Sequence, residues 1–448
     1  MMDFGSLARS IAARVIARDD PDYESARRAM VWNELTPERR PDAIVRVASV
    51  SDVVAAVDFA RGHGLRIAVR SGGHAWCGAA LRDGGLLVDL ANLDGIEIDA
   101  ARGTAAVGPG VVSLDLARRL AREGFAFPLG HCGSVRVGGY LLGGGLGWNP
   151  GAWGPACGSI EAVDVVTADG RLLRAAADEH PDLFWAARGA GVEFCGVAVG
   201  FRLRLRPLPA AIVTSTFVHA IDATEAVARF ADETTKGLAR SIESVIVLAA
   251  GSASGAPSCT LTATAFCDEE TTARAALAPL AACPAPSTSR LENQATPFDT
   301  LYQTVGEAYP ERHRYLADAM WSDAPAVEVL GAIRTRVAHA PSAGSHVLCG
   351  LLPAMALPDG ALSMAARLYV ASYAVWSDPA DDVTNAKWHR SVTDALAPFA
   401  TGYYAGESDV IGDTARARRA FSPAARARLA AVRRAYDPAG LLHVAVDD

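Results

Sequence analysis

The sequence predicts an α+β fold in which a glycine-rich N-terminal part precedes a second α+β unit. Short alternating strand patterns follow one another closely between residues 65 and 107, and they recur at 161–167 and 201–206. Pro207 and Pro209 end the last of these patterns, and glycine becomes rarer beyond them. A strand-like segment at 258–266 and a helix-like segment at 269–280 then indicate a second α+β domain, so we expect a boundary near residues 208 and 209.

The elements of the N-terminal part follow from local patterns. An apolar stripe predicts a helix from Ser51, as its cap, to Gly64, and the next alternating residues, 65–70, predict a strand. Strands are expected at 86–90, 95–99 and 104–107, and a capped helix at 113–123 is stopped by Gly124. The pair Asp169-Gly170 predicts a tight turn between strands 161–167 and 172–174.

Composition narrows the class of protein. The 448 residues are 50% hydrophobic with a net charge of −8, which argues against nucleic acid as a partner. No apolar run approaches the roughly 20 residues that span a bilayer, and no secretory signal is evident. We therefore expect no membrane partner and a cytoplasmic location. The eight cysteines form no CxxC pair and the histidines no HExxH motif, so no metal site is predicted.

Three glycine clusters, at 72–73, 138–147 and 189–191, lie within 120 residues of one another. A GxGxxG motif between a strand and a helix, which binds dinucleotides, is only weakly indicated. Residues 148–151 cannot start a long helix well after the second cluster, and the first cluster has no second spaced glycine before a helix. Glycine clusters also let backbone N–H groups approach an anion closely, without a helix. The clusters therefore fit a long phosphate-bearing ligand, and flexible turns are the alternative.

His74 and Cys132 each lie in one of these glycine-rich loops, 58 residues apart. An imidazole and a thiol in two such loops could hold one large flat ligand from two sides. The alternatives are a hydrogen-bonded loop histidine and an inert buried thiol.

Several segments in order resemble one known family. They are 32–33, 40–45, 51–53, 70–74, 132–147, 182–191 and 436–443. The sequence is similar in these segments to the berberine-bridge-like branch of the vanillyl-alcohol-oxidase/p-cresol-methylhydroxylase (PCMH-type) superfamily of FAD-linked oxidases. The match covers about residues 30–208 and 400–445, and the middle of the chain matches only in its strand-helix texture.

The resemblance implies an architecture. It implies an α+β fold with a two-subdomain PCMH-type FAD-binding domain at 1–208, whose core is about 38–208. A substrate domain at 209–398 would have an antiparallel sheet covered by helices, and the segment 399–448 would return to the FAD domain.

The resemblance also implies the cofactor and its site. FAD would be bound covalently through both His74 and Cys132. A thiol must be partly thiolate to add to the flavin, and we expect the backbone dipoles of the glycine loop to favour that anion. The expected cofactor-binding residues are Arg70, Ser71, Gly72, Gly73, His74, Cys132, Val137, Gly138, Gly139, Leu142, Gly143, Gly144 and Val197.

The expected catalytic residues are Tyr404 and Glu407, either of which could be the base. The family often has Tyr-x-Asn-Tyr-x-Asp where this chain has residues 404–409, so Glu407 stands where a tyrosine is common. A carboxylate base needs a pKa raised by burial, whereas a tyrosine needs a lowered one. Alternatively, Glu407 caps or pairs with the arginine-rich helix near the C-terminus.

The implied reaction is the oxidation of an alcohol, sugar or secondary-metabolite substrate by hydride transfer to FAD, with dioxygen reduced to hydrogen peroxide. The alternatives are a flavin-dependent reductase or dehydrogenase of the same fold with another electron partner, and a non-catalytic flavin-binding protein. Substrate contacts are expected from an aromatic patch of the middle domain. These residues could equally well belong to the hydrophobic core of that domain. Its members are Tyr302, Tyr309, His313, Tyr315 and Trp321.

Overall fold

The computed structural model of the protein describes residues 4–12, 14–251 and 255–445. The outer ends of the predicted first domain and of the C-terminal segment, residues 1–3 and 446–448, lie outside this range. Helices in the described residues are α1 (Gly5–Ser10), α2 (Tyr23–Arg28), α3 (Val50–His63), α4 (Ser113–Arg122), α5 (Val137–Leu142), α6 (Pro150–Trp153), α7 (Pro181–Ala187), α8 (Thr224–Thr234), α9 (Glu270–Leu277), α10 (Phe298–Ala308), α11 (Ala326–Ala338), α12 (Asp382–Leu396), α13 (Thr414–Arg419) and α14 (Pro423–Tyr436).

The first sheet of the described chain has the strand order β1-β2-β4-β3, with β2, β4 and β3 parallel. Its strands are β1 (Arg14–Ala17), β2 (Ala43–Arg46), β3 (Ile67–Arg70) and β4 (Leu86–Asp89). A chain segment from the far end of the sequence joins this sheet, since Leu442 forms a parallel bridge with Ile67. The strand that leads into the His74 loop is therefore held on both sides.

A second, antiparallel sheet follows along the chain in the order β5-β6-β10-β8-β9, and a short pair of strands lies beside it. The strands of this part are β5 (Ile96–Asp99), β6 (Thr104–Val107), β7 (Phe125–Ala126), β8 (Ile160–Thr167), β9 (Leu172–Ala176), β10 (Gly196–Arg204) and β11 (Arg206–Pro207). The predicted turn at Asp169-Gly170 is confirmed, because β8 and β9 pair across it.

The third sheet is antiparallel and has the order β15-β12-β14-β13-β17-β18-β16-β19 in the described residues. Its strands are β12 (Ala211–Ala220), β13 (Ile242–Ala249), β14 (Ser258–Cys267), β15 (Ser287–Ala295), β16 (Arg314–Ser322), β17 (His346–Leu351), β18 (Leu368–Trp376) and β19 (Gly402–Tyr403). Helices α8, α9, α11 and α12 pack on one face and complete an apolar core there. The predicted antiparallel sheet covered by helices is confirmed.

Residue alternation leaves the other face of the third sheet free to line a cavity. In β13, Ile246 and Leu248 are buried in the core under the helices, whereas Glu243, Val245 and Val247 face the cavity. The same alternation places threonines of β12 and β14 at the cavity: Thr214, Thr216, Thr260, Thr262 and Thr264. Strands β12, β13 and β14 thus present a wall of threonine and aliphatic side chains to the cavity.

The predicted cap of α3 is wrong by two residues. The helix begins at Val50, and the side chain of Ser49, rather than that of Ser51, accepts the backbone N–H of Asp52. The Asp52 carboxylate in turn accepts the N–H groups of Ser49 and Ala48. This reciprocal capping box selects Ser49 because only a cap three residues before Asp52 can form both bonds.

No helix among the described residues has the length and apolar character needed to cross a bilayer. The cytoplasmic location stays a prediction.

Candidate functional site

A cavity of about 1290 Å³ lies between the two N-terminal sheets and the third sheet. Its walls come from the glycine-rich loops on one side and from β12, β13, β14, β17 and β18 on the other. Sites for single drug-sized ligands usually enclose about 300–1000 Å³. The cavity therefore has room for a large cofactor together with a small substrate.

The loop that carries His74 is fixed by the end of β3. Arg70 donates a hydrogen bond to the Asp89 carboxylate at 2.9 Å and another to the Gly72 carbonyl at 3.1 Å. Gly73 has a φ of +70°, and a Cβ atom at this position would lie 2.2 Å from the carbonyl oxygen of Met30. Only glycine fits there, because both the conformation and the close approach exclude a side chain.

The His74 ring stacks on Trp32, with the ring centroids 4.9 Å apart and the planes inclined by 25°. Burial lowers the pKa of His74 to about 4, and the positive charges of Arg70 and Arg136 lower it further than a hydrogen bond to the backbone of Ser134 raises it. The imidazole is therefore neutral at neutral pH, and a nitrogen lone pair is available.

The segment after Cys132 is anchored at the start of α4. The N–H groups of Ser113 and Leu114 donate to the carbonyls of Val135 and Gly133 at 2.9 and 3.0 Å. Burial raises the pKa of the Cys132 thiol and outweighs the expected stabilisation of its thiolate by the loop. Hydrogen bonds from Ser134, whose Oγ lies 3.5 Å from the Cys132 Sγ, oppose this effect without overcoming it.

The two glycine loops touch each other. A Cβ atom on Gly72 would lie 3.1 Å from the Cβ of Arg136, and one on Gly138 would lie 2.4 Å from the Oγ of Ser71. The fold thus brings together the two segments that the sequence singled out, and the absence of side chains permits the close approach.

Most of the predicted cofactor-binding residues line the cavity. These are Arg70, Ser71, Gly72, Gly73, His74, Cys132, Gly138, Gly139, Leu142 and Gly143. Val137, Gly144 and Val197 do not line it. Val137 and Val197 are fully buried in apolar cores, and a Cβ on Gly144 would lie 3.1 Å from Leu362.

The position of Val197 follows from strand alternation. Its neighbours Gly196 and Ala198 line the cavity, whereas Val197 points into the core shared with the first sheet. A cofactor contact of Val197 stays a prediction, and it would have to come from the backbone because the side chain is buried.

The candidate base Tyr404 is buried and keeps its proton. Its hydroxyl oxygen accepts the backbone N–H groups of Gly145 and Leu146 at 3.1 and 3.2 Å. Burial raises the pKa of Tyr404 despite these two bonds, and the negative charge of Glu407 raises it further. A tyrosine base needs the opposite shift, so Tyr404 fits a hydrogen-bonding role better.

Glu407 lines the cavity and accepts a hydrogen bond from the Tyr373 hydroxyl at 2.5 Å. The arginines of α13 and α14 find other partners: Arg416 pairs with Asp318 at 3.0 Å and Arg428 with Asp182 at 2.9 Å. The alternative of a pairing between Glu407 and the arginine-rich helix therefore finds no support in these contacts.

Sequence reasoning missed a charged pair beside Cys132. Nε2 of His131 lies 2.6 Å from a carboxylate oxygen of Glu243, and both residues line the cavity. Although burial opposes it, the Glu243 carboxylate raises the pKa of His131. The two residues are 112 positions apart in the sequence, so no local pattern could have indicated the pair.

Aromatic residues on the third sheet were also missed, namely Tyr369 and Tyr373 of β18. Only two members of the predicted aromatic patch line the cavity, namely Tyr309 and His313. Tyr315 and Trp321 lie in the hydrophobic core. Tyr302 itself is buried in a separate aromatic cluster. In the described part of the chain, no group of three or more His, Cys, Asp or Glu side chains could hold a metal ion.

Comparison with known proteins agrees with this geometry. Residues 41–176 match the family described as an FAD binding domain. The FAD-linked oxidoreductase nodO of Hypoxylon pulicicidum is 31% identical over 421 residues, which cover 93% of each chain. The solved structure of 6-hydroxy-D-nicotine oxidase from Arthrobacter nicotinovorans superposes with a TM-score of 0.85 at 26% identity, covering 96% of each chain.

A berberine-bridge-enzyme-like protein of Physcomitrella patens has the same fold, with a TM-score of 0.85 at 21% identity over 99% of this chain and 98% of that one. The long match to nodO and the FAD binding domain show common descent, and the structural matches show a shared architecture. The chain therefore belongs to the FAD-linked oxidoreductases with this FAD binding domain, and it is an FAD-dependent enzyme of that family.

Proposed function

We propose that the protein is an oxidase whose FAD is bonded covalently to His74 and Cys132 and is reoxidised by dioxygen, with hydrogen peroxide as the second product. The observation that carries the proposal is the cavity of about 1290 Å³, on which His74, Cys132 and Glu407 all lie. The similar solved structure from Arthrobacter nicotinovorans is named as an oxidase, which supports this reaction class.

The residues along the cavity fit FAD. A Cβ atom on Gly139 would meet nothing within 4 Å, so backbone at this point is open to a flat or phosphate-bearing group. In our proposal the backbone of Ser71, Gly72 and Gly138 lies against the cofactor. FAD, when bound, supplies the acceptor for two electrons from the substrate.

The proposed attachment points have suitable chemistry. His74 is neutral and keeps a lone pair with which to form a bond to the cofactor. Cys132 keeps its proton in this structure, so its bond requires loss of that proton during attachment. We therefore expect the His74 bond to form more readily than the Cys132 bond.

In the proposed reaction Glu407 is the base. Its carboxylate would accept the proton of a substrate O–H or N–H group, while the Tyr373 hydroxyl donates to its other oxygen and holds its orientation. Tyr404 remains protonated beside it and lines the same cavity. General-base assistance of this kind contributes about 10²- to 10⁴-fold to rate.

The oxidase reaction can be tested without knowing the substrate. The purified holoprotein is photoreduced without oxygen and mixed with aerated buffer, and flavin absorbance and hydrogen peroxide are followed together. We expect rapid recovery of the oxidised spectrum with about one peroxide formed per flavin. Recovery no faster than that of free reduced FAD would contradict the oxidase assignment and favour a dehydrogenase with another electron acceptor.

A further inference from the structure

The part of the cavity around Glu407 carries an unbalanced negative charge. Among residues 4–12, 14–251 and 255–445, the Glu407 carboxylate accepts a hydrogen bond from Tyr373 and lies beside the Tyr369 hydroxyl, and no ion pair involves it. The nearby positive charge of His131 is offset by Glu243 at 2.6 Å. The arginines that line the cavity, Arg70, Arg82 and Arg136, belong to the N-terminal sheets and loops.

Aromatic side chains surround this carboxylate. The ring of Tyr373 lies 5.1 Å from that of Tyr309 and 5.7 Å from that of Trp76, centroid to centroid, with steep angles between the planes. After burial itself, the negative charge of Glu407 is the main cause that raises the pKa values of Tyr309, Tyr369 and Tyr373. The carboxylate therefore lies among aromatic rings that face the cavity.

Tyr369 supplies a further sign of a ligand. The residue is 6% exposed and lines the cavity, and its hydroxyl lies beside the Glu407 carboxylate without forming a hydrogen bond of standard geometry in the described part of the chain. A buried hydroxyl without a partner is costly, so a ligand that bonds to it would be favoured. The ligand would therefore present a hydrogen-bonding group beside its positive charge.

We propose that the substrate is a small organic amine that binds as its ammonium ion, with the charged nitrogen against Glu407 and beside the rings of Tyr309 and Tyr373. The proposal rests on the proposed function and names the substrate class of the same site. An ammonium group fits because it pairs with the carboxylate and is attracted to the faces of aromatic rings. A neutral sugar or alcohol would leave the charge of Glu407 uncompensated.

The same contact prepares the amine for oxidation. The ammonium ion, R₂NH₂⁺, transfers one proton to the Glu407 carboxylate, which gives the neutral amine R₂NH and the neutral acid of Glu407. No electron is exchanged in this step. The freed lone pair on nitrogen assists loss of hydride from the adjacent carbon in the oxidation proposed above.

The test compares a cation with its uncharged isostere. Benzyltrimethylammonium and neopentylbenzene have the same shape, and the cation has no N–H group, so its binding by calorimetry to the purified holoprotein is free of turnover. We expect the cation to bind at least about tenfold more tightly than the hydrocarbon, and Glu407→Gln to remove about tenfold of the cation's affinity. Glu307→Gln is the matched control, because Glu307 lines the rim of the cavity and is exposed.

Equal binding of the two probes, or a cation affinity that is unchanged in Glu407→Gln, would overturn the proposal. If Glu407→Gln does not fold, Tyr373→Phe is used in its place. This variant removes the hydroxyl that donates to the carboxylate and keeps the ring, so two- to fivefold tighter binding of the cation alone is expected. Flavin content and reoxidation by dioxygen are measured on the same samples. Their failure contradicts the oxidase assignment, whereas a failure of probe selectivity with both intact contradicts only the amine class.

Discussion

Burial sets the protonation state of two histidines in this chain. It lowers the pKa of His74 to about 4 at the cavity and that of His389 to about 4 beneath the third sheet, where Nε2 of His389 lies 3.2 Å from the Ser372 hydroxyl. Between pH 6.5 and 4 the unfolded chain takes up protons at these positions and the folded chain does not. Stability attributable to them is therefore lost as the pH falls through that window.

The variant His389→Asn should reduce this acid sensitivity. Without the ionisable ring, the fall in unfolding free energy between pH 6.5 and 4.5 should be smaller by about 2 kcal/mol than in the unchanged protein. Urea unfolding at both pH values measures the difference, and the exposed His63→Asn serves as control. An identical fall in His389→Asn would show that the folded protein protonates His389 as easily as the unfolded one does.

A second residue-scale prediction concerns the His74 loop. Gly73→Ala forces a side chain into a φ of +70° and against the Met30 carbonyl, so we expect a loss of roughly 2–4 kcal/mol and a large loss of bound flavin. Gly62→Ala in α3 meets nothing within 4 Å and should be neutral or stabilising by about 0.5–1 kcal/mol. Thermal unfolding and flavin absorbance report both effects. Full flavin retention in Gly73→Ala would be inconsistent with this account of the loop.

At the scale of elements, the C-terminal turn after α14 holds β3 in place. Asp437 accepts the N–H groups of Leu441 and Leu442 at 2.7 and 2.9 Å, and Ile67 donates to the Leu441 carbonyl at 2.7 Å.

Asp437→Ala leaves buried N–H groups unpaired, which should cost about 2–3 kcal/mol of unfolding free energy. Asp413→Ala removes a carboxylate that caps α13 at the surface and should cost about 1 kcal/mol. Chemical denaturation that ranks the two variants in the opposite order would contradict the role of the turn.

The elements also show where local sequence is sufficient. Strand β6 matches its predicted bounds at 104–107, and helix α4 begins at Ser113 as expected, because both follow from short-range alternation and periodicity. Helix α4 lacks the predicted side-chain cap, since its cap position is Val112. Ser49 and Ser51 are both suitable helix caps by residue type. Ser49 is the cap because Asp52 lies three residues after it and can complete the capping box.

At the scale of the whole molecule, sequence separation limits what can be foreseen. The glycine loops could be found because each is a local motif, and the antiparallel third sheet was expected from the family resemblance. The order of its strands, the bridge between Ile67 and Leu442, and the hydrogen bonds that join Asn33 to Tyr315 across 282 residues depend on tertiary packing alone. The cavity lies where these distant segments meet, so the wall that the third sheet contributes was the part of the site least predictable from the sequence.

Intact-mass spectrometry of the denatured holoprotein shows whether FAD is bonded to the chain. We expect a protein mass raised by one FAD, with the flavin retained in both His74→Ala and Cys132→Ala and lost from the chain only when both residues are replaced. Peptide mapping should place the added mass at His74 and Cys132. A chain of unmodified mass with all of the flavin in the solvent would contradict covalent attachment, and a well-folded protein without flavin would contradict the account of the cavity as a whole.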